Sequence, residues 1–113
     1  MGRGQRLTYL GPYHKSVVAS RYYPVGIGLF LGAGLSFLRN EYGLAIDNVK
    51  TYEAVLYGGT IIYANATSHL NLYCALKGGG DNFGVITRHE LITLDTPDWI
   101  WSGVVYYNQS QLS

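Results

Sequence analysis

The chain has 113 residues, of which 48% are hydrophobic and only 13% are charged, whereas a charged fraction of about 25% is typical. This composition excludes an intrinsically disordered segment, which would be poor in apolar residues and rich in charge. Cys74 is the single cysteine, so a disulfide-stapled miniprotein is also excluded. The length predicts one small domain. So few charges over so much apolar surface indicate that part of the surface contacts another domain or a large ligand.

Neither a nucleic-acid partner nor a membrane is indicated. The net charge is +1 and the eight Lys and Arg residues are scattered, so the basic stripe typical of nucleic-acid binding is missing. The longest apolar stretch, residues 25–38, is broken by glycines and falls short of the roughly 20 apolar residues that a spanning helix needs. Residues 1–6 predict no signal peptide. The sequons at Asn65 and Asn108 are expected to be unused.

The first third of the chain gives weak structural signals. Residues 1–16 are polar and show no period that predicts an element. A short strand is predicted at Val17–Ala19. The apolar segment Val25–Leu35 is punctuated by glycines, which let backbone or ligand approach closely, but its composition does not distinguish helix from strand.

A β-hairpin is the clearest prediction in the middle of the chain. Two β-rich runs, Val49–Leu56 and Thr60–Ala64, are joined across Gly58-Gly59. A Gly-Gly centre supplies the positive φ that a tight hairpin turn requires.

A short helix is predicted after the hairpin. Thr67 or Ser68 can cap its first turn, and the helix should continue through Lys77. The triple glycine Gly78–Gly80 should end it, as glycine does just beyond a helix.

Two further strand regions complete the pattern. Phe83–Leu94 and Gly103–Tyr107 are predicted as strands, with Pro97 between them. The order of elements predicts an α+β fold with a mainly antiparallel sheet and flanking helices.

The strongest local motif is Lys77–Thr87, in which three consecutive glycines are followed by Gly84. One glycine would suffice for a helix end, so the others suggest backbone that passes close to something large. The lysine precedes the glycines, which the Walker pattern does not allow. The glycines also follow a helix, whereas those of a dinucleotide fingerprint open one. For the earlier motif, Pro24–Gly34, spacing alone leaves ligand contact and a structural role equally open.

Other chemistry is sparse. The histidines His14, His69 and His89 lack metal-ligand spacing, and Cys74 lies on a face of the predicted helix, so all four are expected to be structural or exposed. Asp47-Asn48 should form a turn or buried hydrogen bonds. The tyrosine excess favours strand faces and interfaces over a stacking surface. No catalytic residue and no metal ligand are predicted.

Several segments, taken together, resemble one family. The matching stretches are Tyr23–Gly28, Leu31–Phe37, Glu41–Val49, Tyr52–Leu56 with the Gly58-Gly59 turn, and Ala75–Arg88. In this order they closely resemble the FAD-linked oxidoreductases with a vanillyl-alcohol-oxidase-type (PCMH-type) FAD-binding domain, in the berberine-bridge-enzyme-like branch. The resemblance covers roughly residues 17–107.

The resemblance implies a domain organisation. In this family two α+β halves enclose the flavin, and this chain resembles the second half. Residues 1–16 would be a remnant N-terminal segment, residues 17–97 the second half of the FAD-binding domain, and residues 98–113 the start of a truncated substrate domain. A missing N-terminal half-domain is the implied protein partner.

The resemblance also implies FAD as the cofactor. A neutral, apolar wall with closely approaching glycines suits a flavin ring. The implied cofactor-binding residues are Val25, Gly26, Gly28, Gly84, Val85 and Ile86.

Several positions depart from the family pattern. Nothing matches the histidine-bearing loop that bonds covalently to the flavin, and Tyr22 stands where some members have a second flavin-linking cysteine. Ala19-Ser20 replace a glycine pair, and Ala33 replaces the middle glycine of the second glycine run. His69–Asn71 replace the N-P-D helix start, which weakens helix initiation. The family's catalytic base would lie beyond Ser113.

Three functions follow as hypotheses. The chain is expected to be a fragment of an FAD-dependent oxidoreductase of the alcohol- or sugar-oxidase kind, contributing part of the FAD-binding surface. The alternative is a non-catalytic remnant or binding module with little affinity for FAD. A third, a tyrosine stacking module, would bind nucleotides without preferring flavin. Cofactor burial normally needs both halves of the domain, so no independent oxidase activity is expected. Full-length members of the family are often secreted, although this chain shows no signal peptide.

Overall fold

The computed structural model describes residues 2–97, 99 and 101–111, with Arg3 described by its backbone alone. In chain order its helices and strands are α1 (Arg3–Leu10), β1 (Lys15–Val17), α2 (Arg39–Tyr42), β2 (Val49–Val55), β3 (Ile61–Asn65), α3 (Leu70–Leu76), β4 (Val85–Leu91) and β5 (Thr93–Asp95). The strands form a three-stranded sheet of order β3-β2-β4 and a two-stranded sheet of β1 and β5, and all pairs are antiparallel. The predicted α+β class is confirmed. Among the described residues no helix is long and apolar enough to cross a membrane.

The predicted hairpin is confirmed. Strands β2 and β3 pair directly, and the Leu56 N–H donates to the Thr60 carbonyl at 2.9 Å to close the turn. Gly59 has a φ of +78°, a left-handed conformation that favours glycine.

The predicted strand Phe83–Leu94 is divided between the two sheets. Strand β4 pairs with β2, whereas β5 pairs with β1. At the break the Ile92 N–H donates to the Asn48 carbonyl at 2.9 Å. The first strand, β1, lies two residues earlier than predicted, because its register is set by pairing with β5 and by the Lys15–Asp95 ion pair.

Helix α1 occupies a segment for which the sequence predicted no element. The Gly2 N–H donates to Gln5 Oε1 at 2.9 Å across the first turn. The buried Arg6 places its guanidinium 5.1 Å from the centre of the Phe30 ring. A Cβ on Gly4 would collide with the Tyr23 ring. The buried residues of α1 are therefore a glycine and an arginine. Because neither is a large apolar residue, the sequence shows no apolar periodicity that would predict this helix.

The predicted capping of α3 by Thr67 or Ser68 is wrong. Asn65 Oδ1 accepts from the N–H groups of both residues, at 2.9 and 2.8 Å, and so forms a turn ahead of the helix. The helix begins after His69, which has a left-handed φ of +51° and makes no side-chain cap. It ends one residue earlier than predicted.

The predicted strand Gly103–Tyr107 is also wrong. This segment has no regular structure, and its large side chains, from Val104 to Tyr107, are 71–90% exposed. A strand is stable only when its backbone groups are paired with a neighbour, and none lies alongside within the described part of the chain. Of the segment predicted to begin another domain, residues 98, 100, 112 and 113 lie outside the described residues.

The prediction for Asp47-Asn48 is confirmed. Asp47 Oδ2 accepts from the Leu44 N–H at 2.9 Å. The buried Asn48 donates through Nδ2 to the carbonyls of Tyr42 and Leu44, at 2.8 and 2.9 Å. These bonds fix the short 3-10 turn that leads into β2.

The core joins the three-stranded sheet to the glycine-punctuated segment. The largest fully buried side chains are those of Tyr52, Phe30, Leu76, Val18 and Val49. Tyr52 Oη donates to the Phe30 carbonyl at 3.0 Å, entirely within the core. Burial raises the pKa of the Tyr52 phenol, so the phenol stays protonated as a donor. This bond fixes the 3-10 turn Ile27–Leu31 against β2.

The substitution Tyr52→Phe tests this connection. It removes the donor while keeping the ring, so the Phe30 carbonyl loses its buried partner. The free energy of unfolding should fall by about 1–3 kcal/mol, measured by urea denaturation. Tyr57, whose side chain is fully exposed, provides the control Tyr57→Phe, which should leave stability unchanged. Equal stability of the two variants would contradict the assignment.

Candidate functional site

A groove of about 420 Å³ lies between the Ile27–Leu31 turn and the start of β4. Its volume is within the range of about 300–1,000 Å³ usual for ligand pockets. The described lining residues are Ile27, Gly28, Leu31, Asp81, Gly84, Val85, Ile86 and His89. The groove therefore brings together four of the six residues singled out from the sequence, whereas Val25 and Gly26 precede the turn and do not line it.

Two hydrogen bonds hold the walls of the groove together. Tyr52 Oη donates to the Phe30 carbonyl, and the Gly80 N–H donates to the Leu31 carbonyl at 2.9 Å. The first bond ties the Ile27–Leu31 turn to β2, and the second ties it to the triple-glycine loop. Strand β4 then forms the opposite wall because it pairs with β2.

The triple glycine has a structural explanation within this chain. Gly78 and Gly80 adopt φ values of +106° and +67°, which favour glycine. A Cβ on Gly79 would collide with the Ala75 carbonyl oxygen. The large neighbour that these glycines approach is the end of helix α3, and the predicted helix stop is confirmed.

Glycines around the groove differ in what requires them. Gly84 has a φ of +150°, and a Cβ there would lie 2.7 Å from the Val55 carbonyl oxygen, so the fold itself requires glycine. Gly26 and Gly28 have no left-handed φ, and a Cβ on either would meet nothing within 4 Å. No contact with the described part of the chain requires glycine at these two positions, and the space beside them is open.

His89 is a lining residue that the sequence reasoning missed. Its ring is half-buried, with its centre 5.5 Å from that of Phe30 and 5.2 Å from that of Tyr52. Both ring nitrogens are buried without a hydrogen-bond partner in the described structure. Burial, followed by the positive charge of Arg6, lowers the pKa of His89 to about 4. The imidazole is therefore neutral near pH 7.

The other candidate side chains from the sequence lie outside the groove. His14 and His69 are exposed, and Cys74 is an exposed free thiol. Among the described residues no group of three or more His, Cys, Asp or Glu could hold a metal ion. Tyr22 is 69% exposed.

Asp81 is the acidic side chain of the groove lining, and the sequence reasoning missed it as well. It is exposed, and no hydrogen bond or ion pair to its carboxylate is found within the described residues. Its position directly after the triple glycine was the available signal. Only the fold shows that this loop faces the Ile27–Leu31 turn.

Comparison with solved structures identifies the fold. The 6-hydroxy-D-nicotine oxidase of Arthrobacter nicotinovorans superposes with a TM-score of 0.80 and 31% identity, over 84% of this chain and 21% of that protein. A VAO-type flavoprotein of Myceliophthora thermophila superposes with a TM-score of 0.79 and 30% identity, over 82% of this chain and 18% of that protein. The berberine-bridge-enzyme-like protein 1 of Physcomitrella patens superposes with a TM-score of 0.75 and 29% identity, over 84% of this chain and 22% of that protein. The chain has the fold of part of a VAO-type FAD-linked oxidoreductase.

Comparison with curated proteins agrees, although no family model matches the chain. The FAD-dependent monooxygenase prx3 of Penicillium roqueforti is 43% identical over 98 residues, which cover 86% of this chain and 19% of that protein. The FAD-dependent monooxygenase FUP4 of Fusarium proliferatum is 48% identical over 92 residues, which cover 80% of this chain and 18% of that protein. The chain thus spans about a fifth of the length of these relatives. The resemblance to FAD-linked oxidoreductases of the VAO type and the berberine-bridge-like branch is confirmed.

His89 predicts an acid-sensitive stability. Its pKa is about 4 in the folded chain and about 6.5 when unfolded. The unfolded state therefore takes up a proton first, and the contribution of neutral His89 to stability is lost as pH falls from about 6.5 to 4. Below about pH 4 the protonation of His89 causes no further loss of stability.

Urea unfolding at intervals between pH 7.5 and pH 4 measures this effect. The variant His89→Phe should lose less stability than the wild type over this range. The exposed His14 supplies the control His14→Asn, which should follow the wild-type profile. Parallel profiles for the wild type and His89→Phe would contradict the expectation.

Proposed function

We propose that this chain forms one wall of the FAD site of an FAD-dependent oxidoreductase. Gly28, Gly84, Val85 and Ile86 would hold the cofactor in the groove, and Val25 and Gly26 would approach it just outside. The main support is that residues from the Ile27–Leu31 turn and from β4, far apart in the sequence, converge on one groove. FAD, when bound, supplies the electron-accepting chemistry, and this chain's residues bind and orient it.

The residues present fit such a ligand. The apolar side chains Ile27, Leu31 and Val85 offer a surface for a flat ring, and Val85 is 68% exposed. Gly28 leaves room for close approach, since a Cβ there would meet open space. A mostly apolar wall with a few polar groups is typical of cofactor sites.

We propose that this segment holds FAD without a covalent bond. The glucooligosaccharide oxidase of Acremonium strictum, similar to this chain with a TM-score of 0.77 and 27% identity over 84% of this chain and 20% of that protein, carries 6-S-cysteinyl, 8α-N1-histidyl FAD. At the position where the resemblance places the linking cysteine, this chain has the exposed Tyr22. A phenol cannot form the thioether.

We further propose that residues 17–97 act as the second half of an FAD-binding domain, with a separate half-domain supplying the opposite wall. Residues 98–113 would then begin the domain that follows. The exposed apolar side chains beyond Pro97 support this organisation, because Trp99 and Trp101 are both 92% exposed and such surfaces mark interaction sites. A binding module without flavin preference is less well supported, because the curated relatives are FAD-dependent enzymes.

The substitution Gly28→Val tests the cofactor wall. The added side chain would occupy the space proposed for FAD, so the Kd for FAD should rise about tenfold or more. A tenfold rise corresponds to a loss of about 1.4 kcal/mol of binding free energy. Flavin fluorescence or an NMR titration measures this Kd. Gly32→Val is the matched control, because its Cβ would also meet nothing within 4 Å and Gly32 does not line the groove. Equal FAD affinity of the two variants would argue against the proposal.

The 113-residue chain should hold flavin loosely. One wall leaves most of the cofactor in water, whereas bound ligands normally have most of their surface buried. Purified chain should therefore contain less than stoichiometric flavin and show no substrate-dependent oxygen uptake in an oxygen-electrode assay. Stoichiometric yellow flavin together with such uptake would overturn this expectation.

A further inference from the structure

The electrostatic character of the groove is set by one residue. Asp81 is the acidic side chain of the described lining, and its carboxylate makes no hydrogen bond or ion pair within the described residues. The remaining lining residues are two glycines, four aliphatic side chains and His89. The described lining contains no Lys or Arg.

The cationic side chains Arg6 and Lys77 do not line the groove, and each lies over an aromatic ring. His89 is neutral near pH 7, since its pKa is about 4. Arg6 acts on His89 from α1, but its guanidinium lies over the Phe30 ring and is not part of the lining. Lys77, at the end of α3, directs its ammonium group to the Tyr73 ring, 4.4 Å from the ring centre. The groove therefore presents net negative charge to a ligand.

FAD contains two chemically different kinds of group. Its diphosphate is anionic, and phosphate sites in proteins are usually built from Arg, Lys or the N-termini of helices. Its two heteroaromatic rings are uncharged and carry N–H groups that donate hydrogen bonds. An unpaired carboxylate repels the first kind and accepts hydrogen bonds from the second.

We infer that Asp81 makes this groove selective for an uncharged, hydrogen-bond-donating ring of the cofactor and keeps the diphosphate outside. This inference rests on the proposed FAD function. The apolar side chains contact the face of the ring, and Asp81 accepts a hydrogen bond at its edge. Asp81 is thus a specificity-determining residue that decides which part of the dinucleotide enters.

Binding of ligand pieces to the 113-residue chain tests the inference. FAD, riboflavin, adenosine and ADP are titrated separately at low ionic strength, with NMR shifts of groove residues as the readout. Riboflavin and adenosine distinguish the two rings. ADP differs from adenosine only by its diphosphate, so it reports the effect of the phosphate charge. Either riboflavin or adenosine should bind, and ADP should bind no more tightly than adenosine.

The variant Asp81→Asn removes the charge and keeps the shape. It should raise the affinity for ADP roughly threefold or more, because the repulsion is relieved, and should not strengthen binding of riboflavin or adenosine. Glu90→Gln is the matched control, because Glu90 is an exposed carboxylate of β4 outside the lining. It should leave all affinities unchanged.

The outcomes separate the two proposals. In one outcome FAD binds, ADP binds more tightly than adenosine, and Asp81→Asn does not improve ADP binding. The inferred selectivity of the groove is then wrong, whereas the proposed FAD site is still supported. If Asp81→Asn and Glu90→Gln raise ADP affinity equally, the effect is one of net charge and the inference is also wrong. If neither FAD nor any of its pieces shifts the groove residues, the proposed function fails and the inference fails with it.

Discussion

The buried hydrogen bond from Tyr52 to the Phe30 carbonyl is the contact on which the rest of this structure depends. It joins β2, the central strand of the three-stranded sheet, to a 3-10 turn that has few other backbone partners. The ring of Phe30 in turn lies beside Arg6 of α1 and His89 of β4. The buried hydrogen bond and the ring contacts of Phe30 together connect the N-terminal helix, the sheet and one wall of the groove.

The glycines of this chain meet two different requirements, which the sequence cannot distinguish. Those around residues 78–80 and Gly84 are required by left-handed backbone or by close approach of the chain to itself. Gly26 and Gly28 have neither reason and border open space. Of these two, Gly28 lines the groove, and the proposed FAD site would use the open space beside it.

The charge distribution follows the same separation between core and groove. His89 remains neutral because it is buried beside aromatic rings and Arg6, and its charge would be costly there. Asp81 is exposed at the loop after α3 and lines the groove. The groove is consequently apolar at its walls and negative at one edge, a combination that favours an uncharged ring over a phosphate.

The sequence by itself determined the fold class, the hairpin, the glycine stop of α3 and the family, because these depend on local turn chemistry and on the order of short motifs. It also pointed to the residues Gly28, Gly84, Val85 and Ile86 that line the groove. Only the tertiary structure decided the existence of α1, the division of the strand after Gly84 between two sheets, and the places of Asp81 and His89. These features arise from contacts between distant segments, such as Arg6 with Phe30 and β5 with β1. Such contacts cannot be predicted from the local spacing of residues, because they depend on which distant segments the fold brings together.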